Sequence, residues 1–223
     1  MPTFWYIALP VQIPQYYWMD NYETPLDHTH HLVWSWTYEL PFGKSKQWAT
    51  HGVGSALLSG WSVNGMFNHY SGTPYSVTAD ATSCNCPGSS QTANQILPNV
   101  SKVGSGVGGQ AYFNPLAYAP VTGPVFGTSG YDSLRGPGVT NLDMAIFRTF
   151  TLTERFKIQL RGEAMNVSNT PHFNNPGADV SNLQLNPNGT VQSLNGFSQI
   201  TSTNPTGRLI DARYFRLGAR ITF

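Results

Sequence analysis

The sequence predicts an all-β fold: an antiparallel transmembrane β-barrel segment, an open curved sheet of five or six strands from a larger barrel, carrying long loops. Three observations carry this prediction. Charged side chains make up only 10% of the 223 residues, where a soluble domain carries roughly 25%, so charge is too sparse to cover a water-facing surface. Apolar residues recur at every second position and not at helical spacing. Short and long connections alternate along the chain, the pattern of a barrel with tight turns on one side and loops on the other. No apolar run reaches the roughly 18 residues of a spanning helix. Mean hydropathy is −0.25, because alternating strands hide their apolar face from a running average. Net charge is +1, which leaves no electrostatic case for nucleic acid.

Taken in order, residues 1–27 read as a loop with a candidate sixth, partial strand at 4–11, weakened by Pro10. The start, Met1-Pro2-Thr3-Phe4, lacks a basic n-region and does not read as a signal peptide. Residues 28–223 read as barrel strands, making 1–223 a single partial domain. Over 30–40, Leu32, Trp34, Trp36, Tyr38 and Leu40 share one face, against His31, Val33, Ser35, Thr37 and Glu39. Over 57–70, Leu57, Trp61, Val63 and Phe67 oppose Ser62, Asn64 and Asn68. A long loop then covers 72–140.

Over 141–152 the apolar face holds Leu142, Met144, Ile146, Phe150 and Leu152. Arg148 breaks the pattern near the segment's end, where a long cation can snorkel to headgroups. Thr151-Leu152-Thr153-Glu154-Arg155 reads as a tight turn. Because apolar residues are even-numbered on both sides of it, paired numbers must sum to an even value, and the loop must hold three or five residues. Over 155–165, Phe156, Ile158, Leu160, Gly162 and Ala164 oppose Arg155, Lys157, Gln159, Arg161 and Glu163. A second long loop covers 166–212. The last segment, 213–223, sets Phe215, Leu217, Ala219, Ile221 and Phe223 against Tyr214, Arg216, Gly218, Arg220 and Thr222. Its 11 residues match the length of a tilted spanning strand.

Several blocks resemble the C-terminal barrel region of TonB-dependent, Oar-like outer-membrane proteins, those with a carboxypeptidase-regulatory-like domain. The blocks are Tyr38-Glu39-Leu40-Pro41-Phe42-Gly43-Lys44, Gly60-Trp61-Ser62-Val63-Asn64-Gly65 and Ser71-Gly72-Thr73-Pro74-Tyr75. Tyr112-Phe113-Asn114-Pro115, Arg135-Gly136-Pro137-Gly138 with Asn141-Leu142-Asp143, and Thr153-Glu154-Arg155 leading to Arg161-Gly162-Glu163-Ala164-Met165-Asn166 follow; Gly218-Ala219-Arg220-Ile221-Thr222-Phe223 ends the series. Each is short, and their order and spacing carry the likeness over 26–223. The resemblance implies a transporter of the bacterial outer membrane, with a plug inside its barrel and a TonB box that couples it to TonB. This length has no room for plug, TonB box or signal peptide. The expectation is therefore a fragment, whose TonB contact lies in an N-terminal part of the parent.

The same resemblance assigns site residues. Lys157, Gln159, Arg161, Glu163, Arg216 and Arg220 are expected to face the lumen. Phe215, Leu217, Ala219, Ile221 and Phe223 match the C-terminal signal read by the barrel-assembly machinery; an edge-strand Phe without that role is the alternative. Outer-membrane lipid is the other expected partner. Neither a catalytic residue, a cofactor nor a metal is expected, and the chain is not read as an enzyme.

His28-Thr29-His30-His31 has no acidic or Cys partner at matching spacing, and His30 and His31 point to opposite faces of a strand, so a polar rim is the reading. Gly104-Ser105-Gly106-Val107-Gly108-Gly109 reads as a flexible loop, because neither a preceding strand nor a following Lys-Ser/Thr makes it a phosphate cradle. Cys84 and Cys86 are left open between a strained local disulfide, thiols and, with few ligands nearby, a metal. Three functions are carried forward. They are uptake by a TonB-dependent receptor; a structural, adhesion or export role for the same barrel; and a secreted soluble domain binding carbohydrate through exposed Trp and Tyr.

Overall fold

Period-two alternation builds one antiparallel meander in the computed structural model, which describes residues 14–43, 46–82, 90–204 and 211–223. Its strands are β1 (His31–Glu39), β2 (Trp61–Tyr70), β3 (Val139–Thr151), β4 (Lys157–Met165) and β5 (Tyr214–Thr222), paired in sequence order. Among the described residues the sheet is not closed: β1 pairs only with β2, and β5 only with β4. The chain divides into two compact units. The sheet belongs to His30–Tyr70, Val139–His172 and Pro205–Phe223; the other unit comprises Met1–Thr29, Ser71–Gly138 and Phe173–Asn204. The expected partial strand at 4–11 and both cysteines lie outside the described residues.

Register follows the parity expected from the sequence. Thr151 pairs with Lys157 and Phe150 with Ile158, so Leu152–Phe156 is a five-residue loop, closed by the Leu152 amide donating to the Phe156 carbonyl at 3.0 Å. Both long connections leave one end of this sheet, and the 40–60 connection and the 152–156 loop leave the other. Several boundaries differ from expectation. Leu57, expected on a strand, ends a short helix, α1 (Gly52–Leu58); β2 starts only after Gly60 reverses the chain at φ +75°, a conformation glycine adopts without strain. Arg155 and Phe156 belong to the loop, not to β4. β3 begins two residues earlier than expected, at Val139, because its ladder with β2 runs on to Tyr70.

The roots of the second long connection are tied inside the sheet unit. Buried Asn166, at φ +50°, donates from its amide to the carbonyls of Thr170 at 2.9 Å and Asp211 at 2.8 Å, and accepts from the Thr170 amide at 3.0 Å. Fully buried His172 has Nδ1 2.5 Å from Asp211 Oδ1 and Nε2 3.1 Å from the Thr140 carbonyl, while its backbone amide donates to Asp211 Oδ2 at 2.8 Å. Residues 166–172 and 211 thereby fix where β4 ends and β5 begins.

The two long connections, expected as loops without sustained order, build the second unit's core. Two- and three-residue ribbons supply its backbone pairing: Pro74–Tyr75 with Leu134–Arg135, Thr78–Asp80 with Ser90–Thr92, and Asn94–Gln95 with Tyr118–Ala119. Tyr75, Val77, Ala93, Phe113, Tyr118, Val180 and Phe197 pack together, with Phe113 edge-on to both Phe197 and Tyr118. Buried Ser198 locks this core. Its hydroxyl accepts from the Tyr112 and Phe113 amides at 3.0 and 2.9 Å and donates to the Phe113 carbonyl at 2.8 Å. The 104–109 stretch is a turn held against this core, with Gly106 at φ +78° where a Cβ would meet Tyr112 and Ile200.

Two predictions follow from this packing. Gly65 leaves room for the Trp36 indole, since a Cβ there would lie 2.1 Å from the ring; Gly65→Val should displace Trp36 from Trp34, 5.1 Å away between ring centres, and weaken the near-ultraviolet dichroism of that pair. Burial, then the neighbouring Tyr112 and Tyr118 phenols, push the Tyr75 phenol far up, and burial raises Tyr112 and Tyr118 as well. The stability tied to these raised values is complete below the ordinary phenol value of 10.0 and is lost as pH climbs toward them. An alkaline titration should show a late fraction of tyrosinate absorbance, coinciding with protease sensitivity of residues 71–138; Phe at all three positions should abolish that late fraction.

Candidate functional site

The sheet sorts its side chains into two chemically opposite faces. Antiparallel partners share a face, so the register carries each row across the strands. One face reads Tyr38, Val63, Ile146, Gly162 and Leu217 in one row, and Trp36, Gly65, Met144, Ala164 and Phe215 in the next. The other reads Thr37, Asn64, Ala145, Glu163 and Arg216, then Glu39, Ser62, Phe147, Arg161 and Gly218. A soluble sheet would cover its apolar face with a second layer. Here that face is open: Trp34, Leu217, Phe215, Ile221 and Phe223 are exposed, the last at 90%. Trp36 and Trp61, on the same face, are half-buried, one lying over Gly65 and the other under Arg148.

All six residues expected at the lumen fall on the polar face, and three of them converge. Glu163 stands opposite Arg216 and two residues from Arg161. Its Oε1 lies 2.6 Å from Arg161 Nε, and its Oε2 lies 2.5 Å from both Nε and an Nη of Arg216. The carboxylate is buried, at 6% exposed, under two guanidiniums that stay more than half exposed. A carboxylate held on both oxygens by cations is a cross-link between strands, not a base poised for proton transfer. Gln159 reaches Thr149 Oγ1 at 3.4 Å and stands opposite Arg220, and Lys157 lies between Thr151 and Thr222. A shallow depression over this face is lined by Thr37, Asn64, Asp143, Arg161 and Glu163 together with Met66, Ala145 and Met165.

The apolar face has two polar breaks, one in the last row of the β2–β3 ladder and one at the opposite end of that ladder. Arg148 Nη1 donates to the Leu57 carbonyl at 2.6 Å, with its guanidinium 4.3 Å from the Phe150 ring centre and 5.9 Å from that of Trp61. Its charge therefore sits over aromatic rings and against a helix end. At the opposite end His69 Nδ1 meets Thr140 Oγ1 at 2.8 Å. Between these rows the face is wholly apolar.

Phe215, Leu217, Ala219 and Ile221 lie on the apolar face of β5, which bonds β4 on one side only. Phe223 follows the strand and approaches Phe156, 6.4 Å between ring centres. The histidines serve local structure: His28 Nδ1 meets the Ser71 carbonyl at 2.8 Å, and His31 Nε2 meets Asn68 Oδ1 at 3.0 Å. Sequence reasoning missed Asn166, His172 and Asp211. The available signal was Asn directly after a strand, a residue that tolerates the left-handed turn and bonds its own backbone. Replacing Glu163 by Gln should lower the unfolding free energy of the lipid-reconstituted sheet by about 1–2 kcal/mol. That is less than a fully buried pair would lose, because both arginines reach solvent. Urea unfolding beside Asn64→Ala, which leaves the cluster intact, measures it.

Comparison with curated proteins and with solved structures yields no match. A family model described as "Outer membrane beta barrel domain" matches residues 8–214, nearly the whole chain. The chain belongs to the outer membrane β-barrel domain family, whose place is the bacterial outer membrane.

Proposed function

We propose that this chain is the C-terminal barrel part of a TonB-dependent receptor that takes up a substrate across the outer membrane. The ordered set of sequence blocks carries the reading, and the structure gives two of them a common physical basis. Ser71-Gly72-Thr73-Pro74-Tyr75 and Arg135-Gly136-Pro137-Gly138 pack backbone to backbone. A Cβ on Gly72 would lie 1.9 Å from the Gly136 carbonyl oxygen, the Gly136 amide donates to the Thr73 carbonyl at 3.1 Å, and Arg135 reaches the Gly72 carbonyl at 3.2 Å. Arg135 also pairs with Glu23 and Asp27. The two blocks thus form one joint where the first long connection leaves and returns to the sheet.

In this reading further strands pair with the free edges of β1 and β5 and close a larger barrel. Lys157, Gln159, Arg161, Glu163, Arg216 and Arg220 line its lumen. The long connections lie outside the cell and the 40–60 and 152–156 connections in the periplasm. The assembly machinery reads β5 through Phe215, Leu217, Ala219, Ile221 and Phe223, and TonB engages an N-terminal part of the parent. An adhesion or export barrel is the second reading, favoured by the folded unit that the long connections build. The secreted soluble reading is withdrawn, since the family is an outer-membrane one.

Purified periplasmic TonB domain should capture the detergent-solubilised full-length parent. A correctly folded parent that fails to bind would remove the uptake reading in favour of the second. With Cys84 and Cys86 changed to Ser, a membrane-impermeant thiol reagent added to intact cells should label Asn188→Cys but spare Thr153→Cys, both exposed positions; labelling at 153 in sealed cells would reverse the orientation.

A further inference from the structure

The connection between β1 and β2 carries a helix whose polarity is inverted. In a water-facing helix the buried positions are apolar and the exposed ones polar. Among the described side chains of α1, Ser55 is buried, whereas Val53, Leu57 and Leu58 are 75%, 63% and 46% exposed. Val53 and Leu57 are one turn apart and Leu58 is next to them, so the exposed arc is continuous. The helix has no acidic residue in its first turn, no basic residue in its last and no side-chain N-cap. Seven residues with two glycines are too short and too poor in helix formers to stand as an isolated helix in water. Something other than propensity holds it.

Part of that is visible in the sheet. The Leu57 carbonyl, one of the groups a helix end leaves without an internal partner, accepts from the Trp61 indole N–H at 3.0 Å and from Arg148 at 2.6 Å. Trp61 and Arg148 are paired residues in the last row of the β2–β3 ladder on the apolar face, one row inside Phe150, Ile158 and Ile221. The helix is therefore fastened by its C-terminal end near the rim of that face. An aromatic N–H and a guanidinium at this level are groups that favour the boundary between acyl chains and headgroups. Exposed Trp48, in the same connection, and exposed Leu152 and Phe156, in the short loop leaving the same end, add apolar surface.

We infer that α1 is an interfacial helix, lying in the headgroup layer with Val53, Leu57 and Leu58 in the acyl boundary and its C-terminal end held by Trp61 and Arg148. The occupant of this face is lipid. It continues the apolar face of the sheet, the face that a membrane barrel turns to lipid, and its exposed arc offers no charge or hydrogen-bonding side chain to a protein partner.

The test uses the whole chain reconstituted in phosphatidylcholine–phosphatidylglycerol vesicles. Cys84 and Cys86 are changed to Ser, and a nitroxide is attached in turn at Val53→Cys, Leu57→Cys, Leu217→Cys and Asn188→Cys. These are exposed positions, where the label does not compete with packing. Leu217→Cys stands on the apolar face of the sheet and Asn188→Cys on an exposed turn of the other unit. The ratio of oxygen to nickel-chelate collisions should be several-fold higher at positions 53 and 57 than at 188, and should approach that at 217. Ratios at 53 and 57 equal to that at 188, with a high ratio at 217, overturn the inference while leaving the membrane sheet intact. A low ratio at all four overturns both. As a second measurement, Val53→Asp with Leu57→Asp should leave heat-modifiable migration of the folded protein unchanged but reduce its binding to preformed vesicles several-fold; unchanged binding also overturns the inference.

Discussion

Side-chain parity is the constraint on which the five-stranded sheet depends. A one-residue slip between any two strands would carry a full set of aromatic and aliphatic side chains from one face to the other. In a bilayer that slip would bring Lys157, Arg161, Glu163 and Arg216 into hydrocarbon. Parity is preserved at each junction: apolar-face residues are even-numbered in β1, β3 and β4 and odd-numbered in β2 and β5. The five-residue Leu152–Phe156 loop keeps it across one junction, and the Asn166–His172–Asp211 ties hold the ends of β4 and β5 at another.

The two charged positions that matter most are stabilised in opposite ways. Glu163 is buried on the polar face and is held by two guanidiniums that remain wet, so its desolvation is offset by short charge-assisted bonds. Arg148 lies on the apolar face, where aromatic rings and the carbonyl end of α1 receive its charge. Each solution suits its side of the sheet. The first adds a cross-strand link in a polar space, and the second brings a cation to the level where a bilayer tolerates it.

The long connections show how little regular structure a core requires. Ribbons of two and three residues supply the backbone bonds, while aromatic edges and one buried hydroxyl, Ser198, complete the packing. Joining Gly72 to Gly136 brings the two ends of the first connection together at backbone distance, which only residues without a Cβ permit. The unit is thereby built as a structured body, not as slack chain.

The five strands, their faces and the odd-length turn were legible in the sequence because each depends on neighbours two residues apart, and period two survives in a linear reading. The positions of Lys157, Gln159, Arg161, Glu163, Arg216 and Arg220 on one polar face follow from the same local rule. Their convergence on Glu163 does not, because Arg216 meets it from 53 residues away through the register. The core of the long connections and the Asn166–His172–Asp211 ties were likewise invisible, since their partners are distant in sequence and follow no period. Helix α1 escaped notice for the opposite reason: its own sequence disfavours a helix, and bonds from distant Arg148 and from Trp61 to Leu57 tie its end in place. Alternation along the chain determined which face each strand residue would take, and the tertiary structure decided which residues meet, because long-range pairing is set by packing and register and leaves no local pattern.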